Sequence, residues 1–304
     1  MSFIDFGETI EVKTNEPLCK HSTFRIGGNA EYAVFPQNTD ELIYAINVCK
    51  SQEKKYMVVG NGSNLLFDDE GFAGVVIFTS KMDSCEYIYK DESVYIKSYC
   101  GKMLTELASE AGKKHSLTGL EFAYGIPGTI GGAVYMNAGA YGGQMSDVIV
   151  ETEYLDTNDG HIKKLALHEQ NLSYRHSIFQ DHSDYVIIST MLRLTNGNAE
   201  EIFALMNKNL NARKDKQPLE LPNAGSTFKR PAENIFVGKL IQDAGLKGYT
   251  VGGAQISEKH AGFTVNIGGA TSRDVLTLID NVKNIIQEKY DVSLESEIIY
   301  IPYN

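Results

Sequence analysis

The sequence predicts an α+β, or mixed α/β, chain of about two domains, and three observations carry that reading. At 304 residues, with 42% apolar and 22% charged content, it is long enough to bury cores of ordinary size. Apolar runs of strand character alternate with segments whose apolar residues recur at helical spacing. The 28 glycines, about 9% of the chain against a typical ~7%, are gathered in a few places and not spread evenly. The same composition excludes disorder, a collagen-like chain and a disulfide scaffold.

Taken in order, Glu31–Phe35 reads as a strand. Thr39 is placed to cap a helix whose apolar face is Leu42, Ala45, Ile46 and Cys49. Tyr56–Val59, Ala73–Thr79 and Ser93–Cys100 read as strands. Leu104, Leu107, Ala108 and Ala111 repeat the helical spacing, with Gly112 as the expected stop. Val148–Asp156 and Asp184–Leu194 follow as strands, with a turn at Asn158-Asp159-Gly160. Composition shifts at Thr195-Asn196-Gly197-Asn198, and a domain boundary is expected near 197. Glu200–Ala212 is helical, with Ile202, Leu205, Met206 and Leu210 on one side, and a Pro-punctuated stretch, 218–231, comes next. Thr271 and Asp274 form a capping-box-like start to a long helix with Val275, Leu278, Ile279, Val282, Ile285 and Ile286 as its buried stripe. Val292–Ile301 closes the chain as a strand, which puts Glu295 and Glu297 on one face and Leu294 and Ile298 on the other.

A net charge of −11 argues against general nucleic-acid or anionic-membrane binding. From Lys208 to His260, however, nine basic residues face five acids, so that segment is +4 and the rest −15. Such a positive island suits a small anionic ligand; a solvated charged face is the alternative. Cys19, Cys49, Cys85 and Cys100 lack metal-ligand and CxxC spacing, so no metal site is expected. The N-terminus lacks a basic start and an apolar core, so a cytoplasmic protein with reduced thiols is expected. The longest uncharged stretch, 122–146, holds seven glycines and Pro127 and makes a poor membrane span.

Five motifs can carry chemistry. In Val58-Val59-Gly60-Asn61-Gly62-Ser63-Asn64-Leu65-Leu66 a strand runs into two spaced glycines. Successive N–H groups there can nest an anion; a hairpin turn at Asn61-Gly62 is the competing reading. Leu65 and the acidic Asp68-Asp69-Glu70 break the Rossmann fingerprint. In the second, Gly125 to Gly143, small residues recur without charge. Thr129 is placed to cap a short helix, Ile130 to Asn137, suited to a pyrophosphate and a flat ligand against bare backbone; a tight structural crossover is the competing reading. In the third, Ser173 to Phe179, Arg175 is either a carboxylate clamp or a surface arginine. The fourth, Asn223 to Pro231, sets Ser226 on a glycine-entered turn close to Lys229 and Arg230. Ser226 and Lys229 also fit the SxxK pattern of penicillin-interacting enzymes, but so do Ser51 and Lys54, and the SDN and KTG partners are absent. In the fifth, Lys259 to Asn266, His260 is either a base or a hydrogen-bonded structural residue.

As an ordered set, GNGSNLL, GLEFAYGIPGTIGGAVYMNAGAYGG, SYRHSIF, NAGSTFK, GKLIQDAGLKG and KHAGFTVN resemble the MurB family of flavoenzymes, the UDP-N-acetylenolpyruvoylglucosamine reductases. The similarity runs from about Ser22 to Glu297. It implies a two-subdomain, non-Rossmann FAD-binding fold of the p-cresol methylhydroxylase/vanillyl-alcohol oxidase type, joined to a C-terminal α+β substrate domain. FAD would occupy 1–196 (subdomains about 1–80 and 81–196) and substrate 197–293, and 294–304 would be a strand returning to the cleft. The implied reaction has two halves: NADPH reduces non-covalently bound FAD, then the enolpyruvyl ether of UDP-N-acetylglucosamine is reduced to UDP-N-acetylmuramic acid, a peptidoglycan precursor.

By the same resemblance Ser226 is the proton donor, Arg175 stabilises charge on the carboxylate, and Glu297 is the catalytic glutamate, with Glu295 as its substitute. Cofactor contacts fall to Gly60, Asn61, Gly62, Ser63, Asn64 and Leu65, and to Pro127, Gly128, Thr129, Gly132 and Ala133. Asn137, Gly139, Ala140 and Arg213 complete that set. Tyr174, Lys216, Lys229 and Arg230 are the substrate-binding candidates, although the family often has asparagine where Arg230 stands. The ending Ile298-Ile299-Tyr300-Ile301-Pro302 departs from the family's usual Val-Arg-Ile-Ile-Gly, and no insertion is long enough to be the tyrosine-bearing lid of the larger subtype. A monomer acting on small molecules is expected. The rival readings are an FAD-dependent oxidase of the same fold acting on a sugar or hydroxy acid, which commonly tethers flavin through a histidine missing from Gly60–Leu66, and a non-catalytic sugar-nucleotide-binding module.

Overall fold

The structure, a computed structural model, describes residues 4–90, 93–232 and 234–304. The chain forms two compact units, each discontinuous in sequence: Met1–Lys13, Ala33–Asn61 and Val75–Ala212 in one, Thr14–Tyr32, Gly62–Gly74 and Arg213–Asn304 in the other. The composition shift near 197 precedes the helix Ala199–Lys216, and the division between units falls near that helix's C-terminal end.

The first unit holds an antiparallel sheet in the order His161–Ala166, Ile149–Asp156, Tyr185–Asn196, Ser93–Tyr99, Cys85–Lys90, with Leu117–Thr118 also on Tyr185–Asn196. Two of these strands, Cys85–Lys90 and His161–Ala166, escape the sequence reading. Both are mostly exposed and carry charges that blur the alternation. The helix Leu104–His115 buries Leu104, Leu107, Ala108 and Ala111 as the spacing predicts, but it does not stop at Gly112. Ser116 takes the left-handed cap, while a Cβ at Gly112 would come within 2.9 Å of Ile202 and Met206, so this glycine sets helix–helix approach. The partner helix buries Ile202, Met206 and Asn209; Leu205 is exposed, because the buried stripe turns toward Asn209, which donates to the Glu121 carbonyl.

The same unit contains a parallel pair, Tyr56–Val59 with Val75–Phe78, and the helix Thr39–Ser51, which buries Leu42, Ala45, Ile46 and Cys49. Its cap is Asn38 and not Thr39: the Asn38 side chain accepts from the Glu41 N–H at 2.9 Å.

The second unit stacks an antiparallel sheet, in the order Asn223–Ser226, Phe263–Asn266, Ala254–Ile256, Thr250–Val251, with the helix Ser272–Tyr290. Thr271 and Asp274 close the expected capping box, and Asp69 adds its carboxylate to the Ser272 and Arg273 N–H groups. Val275, Leu278, Ile279, Val282 and Ile286 are buried in the core against Ile241, Ala254 and Ile256. The chain end forms a strand only over Ile299–Ile301, parallel to Leu65–Phe67. The expected strand from Val292 is absent over 292–298, where Phe228 and Ser296 make a single antiparallel bridge. This pairing also overturns the hairpin at Asn61-Gly62: Tyr56–Val59 pairs with Val75–Phe78, and Leu65–Phe67 with the chain end. Among the described residues no helix is long and apolar enough to cross a membrane.

Candidate functional site

The glycine-rich segments are best understood by what stands where side chains are missing. In the first unit, Gly60 follows the strand Tyr56–Val59, and a Cβ there would lie 2.2 Å from Thr129 Oγ1. Thr129 is the cap of the short helix Ile130–Tyr135, accepting from the Gly132 N–H at 3.4 Å. Asn61 Nδ2 donates to the Pro127 carbonyl, so the two glycine segments are laced together. The helix ends at Tyr135, two residues before the expected Asn137. Asn137 takes a left-handed φ of 41°, is buried, and spends its side chain on the Ser173 carbonyl and the Ser146 N–H.

That asparagine connects the glycine segment to the loop of Arg175. Arg175 itself takes a φ of 56°, donates to the Gly139 carbonyl at 3.4 Å, and lies 5.1 Å from the ring centre of the half-exposed Tyr174. Gln180 donates to the carbonyls of Arg175 and Tyr135, a brace that sequence reasoning missed because one glutamine in a four-residue helix carries no pattern. Gly139 and Ala140 pair with Gln144 and Gly143. Gly128 accepts from Leu104 N–H, and Ala133 is buried in the short helix.

Two features of this arrangement fit a phosphate-bearing, flat ligand. The backbone N–H groups of Asn61, Gly62 and Ser63 donate to no described residue, and such consecutive donors suit an anion. A Cβ on Gly132 would meet only Thr129 Oγ1, at 3.7 Å, so bare backbone faces open space there.

In the second unit, Ser226 ends the strand Asn223–Ser226, opposite Phe263. Gly225 before it has a φ of 79°, where an L side chain is strained, and a Cβ there would meet nothing within 4 Å. Just after Ser226 the chain is anchored: Thr227 is fully buried, bonds Thr264 Oγ1 at 2.9 Å, and donates its N–H to the Gly262 carbonyl. The Thr227 carbonyl accepts the N–H of Glu297, which is buried. Glu295 differs sharply from Glu297 despite the two-residue spacing. It is 73% exposed and ion-paired with Lys229 at 2.6 Å. The absence of regular strand there removes the alternation that would give both one face.

Among the described residues, three of the nine basic residues of the positive island are held in ion pairs. Lys229 is held by Glu295, Lys239 by Asp243 at 2.6 Å, and Lys259 by Glu220 at 3.6 Å. Arg230 stacks on the Phe236 ring at 4.9 Å. Arg213 bonds Oε1 of Gln217, the residue just past the end of its helix, and Lys216 is exposed at that end. His260 is not set up as a base. Burial, helped by Lys247 and Lys216, holds its imidazole below the usual histidine range, and its Nδ1 already accepts the Gly262 N–H at 3.0 Å. Burial likewise pushes the thiols of Cys49 and Cys100 up to about 12, and all four cysteines are free.

Comparison with known proteins agrees with these features. The C-terminal domain family of UDP-N-acetylenolpyruvoylglucosamine reductase matches residues 217–301, and an FAD binding domain family matches 30–166. The chain is 48% identical to UDP-N-acetylenolpyruvoylglucosamine reductase of Lachnoclostridium phytofermentans, covering 95% of this chain and 93% of that one. It is 46% identical to the enzyme of the same name from Latilactobacillus sakei, over 98% and 95% of the two chains. The crystal structure of the Thermus caldophilus reductase (MurB) superposes with a TM-score of 0.78 at 34% identity, covering 96% of this chain and 99% of that one.

Proposed function

The chain belongs to the UDP-N-acetylenolpyruvoylglucosamine reductase family, and from that membership we infer that it reduces UDP-N-acetylenolpyruvoylglucosamine to UDP-N-acetylmuramic acid with NADPH, for peptidoglycan synthesis. The observation that carries the reading is the match of both parts of the chain at once, an FAD-binding region and the reductase's own C-terminal domain. The second of these separates it from an oxidase of similar fold, and no feature of the site favours the oxidase or the non-catalytic module.

Bound non-covalently, FAD supplies the chemistry of accepting hydride from NADPH and delivering it to the substrate's double bond. The loop Gly60–Leu65 and the bare backbone around Gly132 would hold it, the loop's N–H groups being suited to its diphosphate. Arg175, with its guanidinium steadied by Gly139 and Tyr174, binds the enolpyruvyl carboxylate and stabilises the charge that builds there; such donors typically contribute ~3–4 kcal/mol. Ser226 Oγ gives a proton to the carbon that bears the carboxylate. The anchoring of the next residue, Thr227, supports that role, since a neutral hydroxyl protonates a basic carbon well only when held in line. Glu297 rather than Glu295 is the acidic partner, because Glu295 is exposed and paired with Lys229. Tyr174, Lys216, Lys229 and Arg230 remain candidates for the sugar nucleotide. We place the enzyme in the cytoplasm as a monomer.

Purified protein is expected to be yellow, to bleach with NADPH, and to recover on adding the enolpyruvyl sugar nucleotide. Colourless protein that cannot be reconstituted with FAD would refute the function. Denaturation should release the flavin; colour retained on the chain would favour the oxidase.

A further inference from the structure

We propose that Asn64, at the end of the glycine loop, is a positioning residue for Glu297, so that the loop meant for the cofactor also aims the carboxylate. The proposal rests on the reading above, in which Glu297 is catalytic. Glu297 lies outside any regular strand, so no sheet ladder fixes its backbone. Two hydrogen bonds do so instead, one on each side of its Cα. Its N–H donates to the Thr227 carbonyl at 2.9 Å, and its carbonyl accepts from Asn64 Nδ2 at 3.0 Å. With both flanking peptide planes tied, the backbone is held and the direction of the Glu297 Cα–Cβ bond, from which the carboxylate departs, is set.

Asn64 is itself well held for this task. Its carbonyl accepts the Ile299 N–H at 3.0 Å, and Leu65 next to it is in parallel register with Ile299. Both bonds thus clamp the segment 297–299, one from the side chain and one from the main chain of a single residue. On the other side, the Thr227 carbonyl belongs to the residue after Ser226, and Lys229 N–H donates to the Glu295 carbonyl at 2.9 Å. Glu297 is therefore suspended between the strand of the proposed proton donor and the loop of the proposed cofactor contacts. A side chain that donates to a carbonyl cannot be replaced by a carboxylate of the same shape, so Asn64 is distinguished from aspartate by chemistry and not by size.

The test is a double-mutant cycle on the flavin-loaded enzyme with Asn64→Ala and Glu297→Gln. Stopped-flow reoxidation of the NADPH-reduced protein by the enolpyruvyl sugar nucleotide is read beside the bleaching step. Asn64→Ala is expected to slow reoxidation at least about tenfold more than bleaching, and to add nothing once Glu297→Gln is present. Asn64→Asp, which keeps the shape and lacks the donor, should behave as the alanine variant and stands in for it where flavin is lost. Hydrogen exchange should rise at Glu297–Ile299 in either Asn64 variant while Phe263–Asn266 stays protected. Additive losses, a fully active Asn64→Asp, or unchanged exchange at Glu297–Ile299 would each overturn the proposal. Reoxidation of Glu297→Gln at the wild-type rate would overturn it too, by removing Glu297 from the reaction; the additive result with an impaired Glu297→Gln leaves that role standing and removes only the coupling.

Discussion

A Cβ placed on Gly60 would lie 2.2 Å from Thr129 Oγ1, the hydroxyl that caps the helix Ile130–Tyr135. One position therefore governs two glycine segments 69 residues apart in sequence. Gly60→Ala must displace Thr129, weakening the cap by about 1 kcal/mol and adding overpacking of ~1–3 kcal/mol. Flavin titration by fluorescence quenching should show weakened binding, with a lowered Tm. Wild-type affinity would mean that the loops separate without consequence.

Ser226→Ala removes a hydroxyl next to the buried Thr227–Thr264 hydrogen bond and leaves that bond in place, so the fold should survive. The proton step should lose roughly 10²–10⁴-fold, read as reoxidation of the reduced enzyme by the enolpyruvyl sugar nucleotide. Bleaching by NADPH should persist. An alanine variant that reoxidises normally would take Ser226 out of the mechanism.

The helix Ser272–Tyr290 is held at its start by the Thr271 and Asp274 capping box and along its length by a buried stripe. Leu278→Ala empties a fully buried site and should cost about 2–5 kcal/mol, against about 1 kcal/mol for Thr271→Ala. Urea denaturation checks the order; equal losses would contradict the burial.

Acid stability should depend on Glu153. Burial pushes its carboxyl up, but Lys97 at 2.7 Å, Ser189 at 2.6 Å and Lys164 at 3.2 Å outweigh it and bring the pKa from 4.5 to about 2. A carboxyl depressed in the folded state stabilises fully above its unfolded value. That contribution is lost as pH falls from about 4.5 toward 2. Solvent screening limits it to about 1 kcal/mol. Glu153→Gln should lower urea stability at pH 7 and flatten its decline between those values; parallel curves for the two proteins would exclude it.

Much of the site was legible because its signals are local. The cap at Thr129, the capping box at Thr271 and the buried stripe from Val275 to Ile286 follow from residue type and spacing within one or two turns, and the structure has all three. The errors fall where a partner distant in sequence decides. Gly112 reads as a helix stop, yet Ile202 and Met206 pack on it. Asn61-Gly62 reads as a hairpin, yet the flanking strands each pair elsewhere.

The α+β class, the helices with one apolar face and the ordered motifs that mark the family are all readable from the chain, because each is written in short-range periodicity and residue chemistry. What folding alone sets apart is the surroundings of Glu295 and Glu297. Two residues apart, they look equivalent in the chain, but one meets Lys229 in solvent while the other is buried beneath the Thr227 carbonyl. The physical reason is that burial and hydrogen-bond partners are properties of chain segments brought together by folding, here 62–65, 226–229 and 295–299, and no local pattern encodes which of them will meet.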